Sequence, residues 1–268
     1  MLDIEKKLET LPVLPEKVNH LLNLNHEQNY DTKKLLHIIQ NDPILTTRLL
    51  ELANSKYFGF LNPIYTPGRA LSLYGMHFTI AVCIAELVLN SLKFDLKAFG
   101  ISYFEFKRIS DSAFKLLFEW LDETQVDLKE KLILPLFLQY IGKFFISEYI
   151  KKENKQENFK LLLENKNESR VEKDFVGISS SELSSIVLKR WGFPQQLVDT
   201  VFYIDTPMFL ETSVKEVAIL NTINQITKLN APFEVKSIQN GLRSANEFDL
   251  NVNRLRDIVH KIEEDFKK

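Results

Sequence analysis

A single cysteine, Cys83, excludes any intrachain disulfide. Its Ala81 and Val82 neighbours make it an apolar core filler in a reducing compartment, so a cytoplasmic location is expected. The eight glycines are scattered and never form the GxxxxGK or GxGxxG loops that cradle phosphates. A CxxC pair, a calcium loop, a zinc-finger spacing and a GxSxG elbow are absent too. Charge of one sign is also missing: 34 Lys and Arg against 36 Asp and Glu leave a formal charge of -2, with no global pull toward nucleic acid or an anionic membrane. No apolar run is long enough to span a bilayer. The longest, Met76 to Leu92, contains His77 and Glu86 and reads as a buried helix. The opening MLDIEKKLET is too charged for a signal peptide. Together these absences argue against the common motif-bearing enzymes.

What is present is dense helical punctuation. Asp42-Pro43 and Thr66-Pro67 each pair a capping side chain with a proline whose missing N–H costs nothing at the first helical position. Short connections and apolar residues at three- and four-residue steps predict a short leading helix over Leu2 to Thr10 and five more between Pro15 and Leu92. After Lys93 phenylalanines become frequent. A long apolar helix follows, LKEKLILPLFLQYIGKFFISEYI, with Pro135 expected to kink it or mark its start. Lys151 to Asp174 alternates in charge and reads as one exposed helix flanked by turns. Ser179 and Glu182 have capping-box spacing, and further helices start at Pro194 and near Ser213. The final helix carries Val252, Leu255, Val259, Ile262 and Phe266 as a stripe that must cover the body of the protein or a second copy, a homodimer. The fold class is all-α, in three parts: 1–93, 94–210 and 211–268.

A metal or acid-base centre would need histidines and carboxylates brought together. No two of His20, His26, His37, His77 and His260 are three or four residues apart, so none share a helix face by local spacing. His37 and His77 read as edges of apolar faces. No catalytic residue, metal ligand or cofactor is expected, and the chain is read as a non-enzyme. For nucleic acid the best local candidate is the helix pair around Arg48 and Arg69, but Pro43 to Asn54 offers only Arg48, Glu51 and Asn54 among apolar residues. Nucleic acid is therefore not an expected partner, and neither is a membrane.

Four stretches carry a resemblance to a known family. LPVLPEKVNHLL, IIQNDPILTTRLLELANSKYFGF, IYTPGRALSLYG and LKRWGFPQQLVDTVFYID together span Leu11 to Pro207 and resemble the HDOD domain, a helical regulatory relative of the HD phosphohydrolases. The resemblance implies a small N-terminal helical bundle packed on an HD-like helical lobe, with signalling or regulatory duties.

It also locates where an HD metal site would be. Members of the HD superfamily place His-Asp just before a hydrophobic-Gly-Lys turn, and this chain reads Leu138-Gln139-Tyr140-Ile141-Gly142-Lys143. The helix segment FKRISDSAF lacks the earlier histidine, Gly177-Ile178-Ser179-Ser180 presents serine, and Tyr203-Ile204-Asp205 lacks the final histidine. An amide and a phenol cannot replace imidazole and carboxylate around a divalent metal, and Asp111 or Asp205 alone is insufficient. The lobe is thus expected to be degenerate. The leading expectation is a noncatalytic signalling module that binds a regulatory protein through the N-terminal bundle or the junction between lobes, with Arg48, Lys56, Tyr57 and Arg69 as candidate contacts. The alternative is a sensor that holds a small molecule or nucleotide in a vestigial pocket of Gln139, Tyr140, Ser180 and Asp205. A metal-dependent phosphohydrolase ranks below both.

Overall fold

The computed structural model describes residues 11–26, 31–55, 62–93, 95–209 and 213–267. Among these every regular element is a helix. The leading helix expected over Leu2 to Thr10 lies outside the described residues, as do the candidate contacts Lys56 and Tyr57. The chain divides into two compact units, Pro12–Lys93 and a second one built on Phe94–Lys268.

Five helices make the first unit: α1 (Glu16–His26), α2 (Thr32–Gln40), α3 (Pro43–Ala53), α4 (Pro67–Tyr74) and α5 (Met76–Ser91). Their starts are local chemistry. Asp31 accepts from the Lys33 and Lys34 N–H groups, Asp42 from Ile44 and Leu45, and Thr66 from Arg69, so each cap meets donors that a helix N-terminus leaves free. Asn54 then clamps the chain across the connection that follows α3, accepting the Ile64 N–H and donating to the Ile64 carbonyl, both at 2.7 Å. Gly75, at φ +81, turns α4 into α5 through 119°. That positive φ is strained for any residue with a Cβ. The α5 helix is buried from Phe78 to Leu89 and packs against α1 and α3 as the centre of the unit. Among the described residues no single helix is long and apolar enough to cross a membrane.

The second unit contains α6 (Tyr103–Trp120), α7 (Val126–Leu138), α8 (Ile141–Lys152), α9 (Gln156–Asn165), α10 (Glu168–Val176), α11 (Ser180–Arg190), α12 (Gln195–Phe202), α13 (Val214–Ile226), α14 (Val235–Glu247) and α15 (Val252–Lys267). Three sequence expectations change here. The long apolar helix is two helices, broken at Gln139-Tyr140 rather than at Pro135. The break is stable because its freed groups find side-chain partners: the Gln139 amide donates to the Leu136 carbonyl at 2.9 Å, and the Ser184 hydroxyl donates to the Gln139 carbonyl at 2.8 Å. Lys151 to Asp174 is likewise two helices, α9 and α10. Phe159, Leu163, Val171 and Glu172 point inward, so the segment is not a solvated face. Finally, α14 was not anticipated, although Val235, Ile238, Leu242 and Ala245 stand at helical spacing. Its buried positions are Ser237, Gly241, Ser244 and Ala245, and a Cβ at Gly241 would sit 2.3 Å from the Ile226 side chain, so small residues let α13 and α14 approach closely.

The terminal stripe covers the body of its own unit. Leu255, Ile258, Val259 and Ile262 are buried, and α15 packs against α6 and α14. Polar bonds pin both ends: the Trp120 indole donates to the Asn251 carbonyl at 2.9 Å, and the Arg108 guanidinium donates to the Phe266 carbonyl at 2.6 Å while lying over the Phe266 ring.

Candidate functional site

Of the four candidate contacts of the first unit, Arg48 and Arg69 fall among the described residues. Arg48 is buried, 6% exposed, and its guanidinium lies 3.3 Å from the Glu86 carboxylate, which also accepts from the Asn90 amide at 2.9 Å. Arg48, expected as a partner contact, is therefore not on the surface. In an apolar core its positive charge is held by the one carboxylate of the central helix, because a buried charge without a counter-charge would be far more costly. Arg69 is exposed and sits in the first turn of α4.

The second unit brings its four candidates together. Gln139 and Tyr140, at the α7–α8 break, line one cavity of about 420 Å³ with Ser180 at the start of α11 and Asp205 after α12. The region is not collapsed into an apolar core. Close packing builds the floor. A Cβ at Gly142 would lie 2.1 Å from the Ser180 carbonyl, so glycine lets the first turn of α8 run against α11. The Gly142 N–H donates to the Ser184 hydroxyl at 2.7 Å and locks that contact.

The centre of the site is an ion-pair cluster that sequence reasoning missed. The Lys143 ammonium lies 3.4 Å from the Glu172 carboxylate and also contacts Glu168. Glu172, 1% exposed, further accepts the Ser180 N–H at 2.7 Å. Burial pushes the Glu172 carboxyl up in pKa, and Lys143 and the Ser180 N–H offset only part of that rise. Beside this cluster Ser181 donates to Asp205 at 2.6 Å. The Lys143 signal was present as the lysine of the Gly-Lys turn. Glu172 was hidden in a run of alternating charge.

Two polar atoms at the helix break have no partner. The Gln139 carbonyl oxygen Oε1 and the Tyr140 hydroxyl are buried without a hydrogen bond. Tyr140 is held by edge-on contact with Phe106, ring centroids 5.5 Å apart, and burial drives its pKa up to about 12. The nearby Thr227 hydroxyl, which donates to the Ile223 carbonyl, eases that rise.

A dication does not fit this donor set. Gln139 offers a neutral amide, Tyr140 a phenol that resists ionisation, and the neighbouring carboxylates already surround an ammonium that would repel a metal ion. Among the described residues no group of three or more His, Cys, Asp and Glu side chains could hold a metal.

A family model for the HDOD domain matches residues 11–207. The chain belongs to the HDOD domain family. Its fold is shared with solved structures of low identity. A Shewanella amazonensis protein named provisionally as a phosphohydrolase is 19% identical with TM-score 0.72, the match covering 98% of this chain and 96% of that one. A Marinobacter aquaeolei protein named provisionally as a signal transduction protein is 16% identical with TM-score 0.65, covering 99% and 61%. An HDOD domain protein of unknown function from Geobacter sulfurreducens is 15% identical with TM-score 0.62, covering 95% and 93%. No curated protein matches. As an HDOD protein this chain is related to the HD phosphohydrolases.

Proposed function

We propose that this HDOD protein is a noncatalytic regulatory module that acts by binding another protein rather than by turning over a phosphoester. The observation that carries the reading is the Gln139-Tyr140 break: the pair that would hold a metal is an amide bonded to a backbone carbonyl and a phenol packed on Phe106. The Marinobacter neighbour's name points the same way.

The test is turnover. The full chain, incubated with Mn²⁺ and either a nitrophenyl phosphodiester or a cyclic dinucleotide, is expected to release product at the rate of the no-protein control. Metal-dependent release that disappears in Glu172→Gln would overturn the reading.

A second reading, a sensor that holds a small molecule, has its own support in the polar cavity.

A further inference from the structure

The end of α12 and the turns after it form a lip whose two sides differ in chemistry. Local hydrogen bonds wind the chain tightly: the Tyr203 N–H donates to the Asp199 carbonyl at 3.0 Å, Thr206 to Tyr203 at 2.9 Å and Phe209 to Thr206 at 3.1 Å. Val201, Ile204 and Pro207 are buried on the inner side. The Asn221 amide of α13 donates to the Ile204 carbonyl and the Ser181 hydroxyl of α11 to Asp205, both at 2.6 Å, so two other helices pin the lip from behind.

The outer side is apolar. Phe202 is 39% exposed, Met208 72% and Phe209 67%. With the backbone tied and the inner positions filled, these three side chains have no room beneath the lip. Large apolar side chains exposed together, rather than singly, mark interaction sites, and methionine and aromatic residues are enriched in them.

The charge beside the patch has one sign. From Trp191 to Val214 the sequence contains Asp199, Asp205 and Glu211 and no Lys, Arg or His, in a chain balanced at 34 cations to 36 carboxylates. Asp199 accepts from the Gln195 amide at 2.7 Å and Asp205 from the Ser181 hydroxyl, both neutral donors that leave the charges in place. Flanking cations do not reverse this. Lys189 and Arg190 lie beyond the far end of α12, whose eight residues span about 12 Å. Lys215 is followed by Glu216, and Lys173 is engaged by Glu182 at 2.8 Å. The cavity that Asp205 also borders is lined by five carboxylates and four lysines, so it adds no net positive charge.

We infer that the lip of Phe202, Met208 and Phe209 docks a basic amphipathic helix of another protein, its apolar side on these three side chains and its Lys or Arg residues toward Asp199 and Asp205. Complementary charge selects this occupant. A second copy would bring the same carboxylates against one another, and a nucleic acid or an anionic membrane would be repelled. The inference rests on the reading that the protein acts by binding another protein, and adds the surface and the chemistry of the partner.

The experiment is fluorescence anisotropy of a labelled amphipathic helical peptide of Leu and Lys titrated with the full chain, beside the same peptide with Glu for every Lys. The Lys peptide is expected to saturate one site per chain, and the Glu peptide to bind at least about tenfold more weakly. Met208→Ser combined with Phe209→Ser should weaken the Lys peptide at least about tenfold, as should Asp199→Lys, each in protein whose circular dichroism is unchanged. Phe104→Ser should leave binding unaltered: Phe104 is 71% exposed on α6, but Lys107 lies over the neighbouring Tyr103 ring and the charge there has the wrong sign. No saturation by the Lys peptide up to about 1 mM would overturn the inference. So would equal binding of the two peptides, or unchanged affinity in the Met208 and Phe209 variant. Sedimentation of the chain alone is expected to give a monomer, and a dimer dissolved by that variant would assign the lip to a second copy instead. Peptide binding by a chain that also cleaves the phosphodiester with Mn²⁺ keeps this inference and overturns the noncatalytic reading, whereas neither binding nor cleavage does the reverse.

Discussion

In the Pro12–Lys93 unit the buried Arg48 meets Glu86 at 3.3 Å inside a bundle closed by caps and by the Asn54 clamp. In the second unit Lys143 meets Glu172 at 3.4 Å and contacts Glu168, but it does so on the wall of a cavity of about 420 Å³. Both units bury a cation with carboxylate partners. One uses the pair to close a core. The other places it on the wall of a polar cavity, beside an amide oxygen and a phenol with nothing to bond. A buried ion pair by itself therefore says little about function, and the unsatisfied groups around it say more.

The largest effects should come from orphaning the carboxylates. Lys143→Met leaves two of them and is expected to cost about 3–5 kcal/mol, with Arg48→Met at or below that value because Glu86 keeps the Asn90 amide. Urea unfolding measures both. Equal small losses would remove the contrast between the units. The pH dependence sharpens it. The folded pKa of Glu172 is raised above its ordinary 4.5, so its contribution to stability is present below about pH 4.5 and lost as pH rises through the folded value. The deficit of Lys143→Met should thus be largest at neutral pH and shrink in acid.

Next in size is Gly142→Ala, whose Cβ would meet the Ser180 carbonyl at 2.1 Å. A loss of about 1–3 kcal/mol is expected, or more if the α8–α11 contact cannot shift. A neutral result would mean that the cavity floor is not close-packed.

Asp42→Ala in the first unit should cost about 1 kcal/mol as a lost cap. Burial raises the Asp42 carboxyl, but Lys17 and the Leu45 and Ile44 N–H groups outweigh it and hold it below 3.8. Its contribution is therefore present above pH 3.8 and lost as pH falls through the folded value. Acid titration of wild type and Asp42→Ala should converge there, the reverse of the trend at Glu172.

The smallest effect is the most telling for the cavity. Tyr140→Phe removes a buried hydroxyl that has no partner, so without ligand it should be neutral or stabilising by up to about 1 kcal/mol in thermal unfolding. A loss above about 1 kcal/mol would show that the hydroxyl is bonded after all.

Features written in adjacent residues were legible in the sequence. Asp42 and Thr66 cap where they were expected to, and the Ser179–Glu182 box forms, because a cap needs only its own first turn. Gln139 and Tyr140 were picked out against the family pattern. The break between α7 and α8 was not, since its stability depends on Ser184 from another helix. Arg48 was misjudged for the same reason: nothing near it in sequence announces Glu86. The α14 helix was not read from the sequence, and its fully buried positions are small residues that let it approach α13 closely.

The central claim is that the HD-like lobe has kept a polar cavity and lost its metal site. Titration of the full chain with Mn²⁺, following free ion by electron paramagnetic resonance, tests it most directly. All added Mn²⁺ should remain free up to concentrations well above that of the protein. One tightly held ion per chain, released by Glu172→Gln or Asp205→Asn, would contradict the claim.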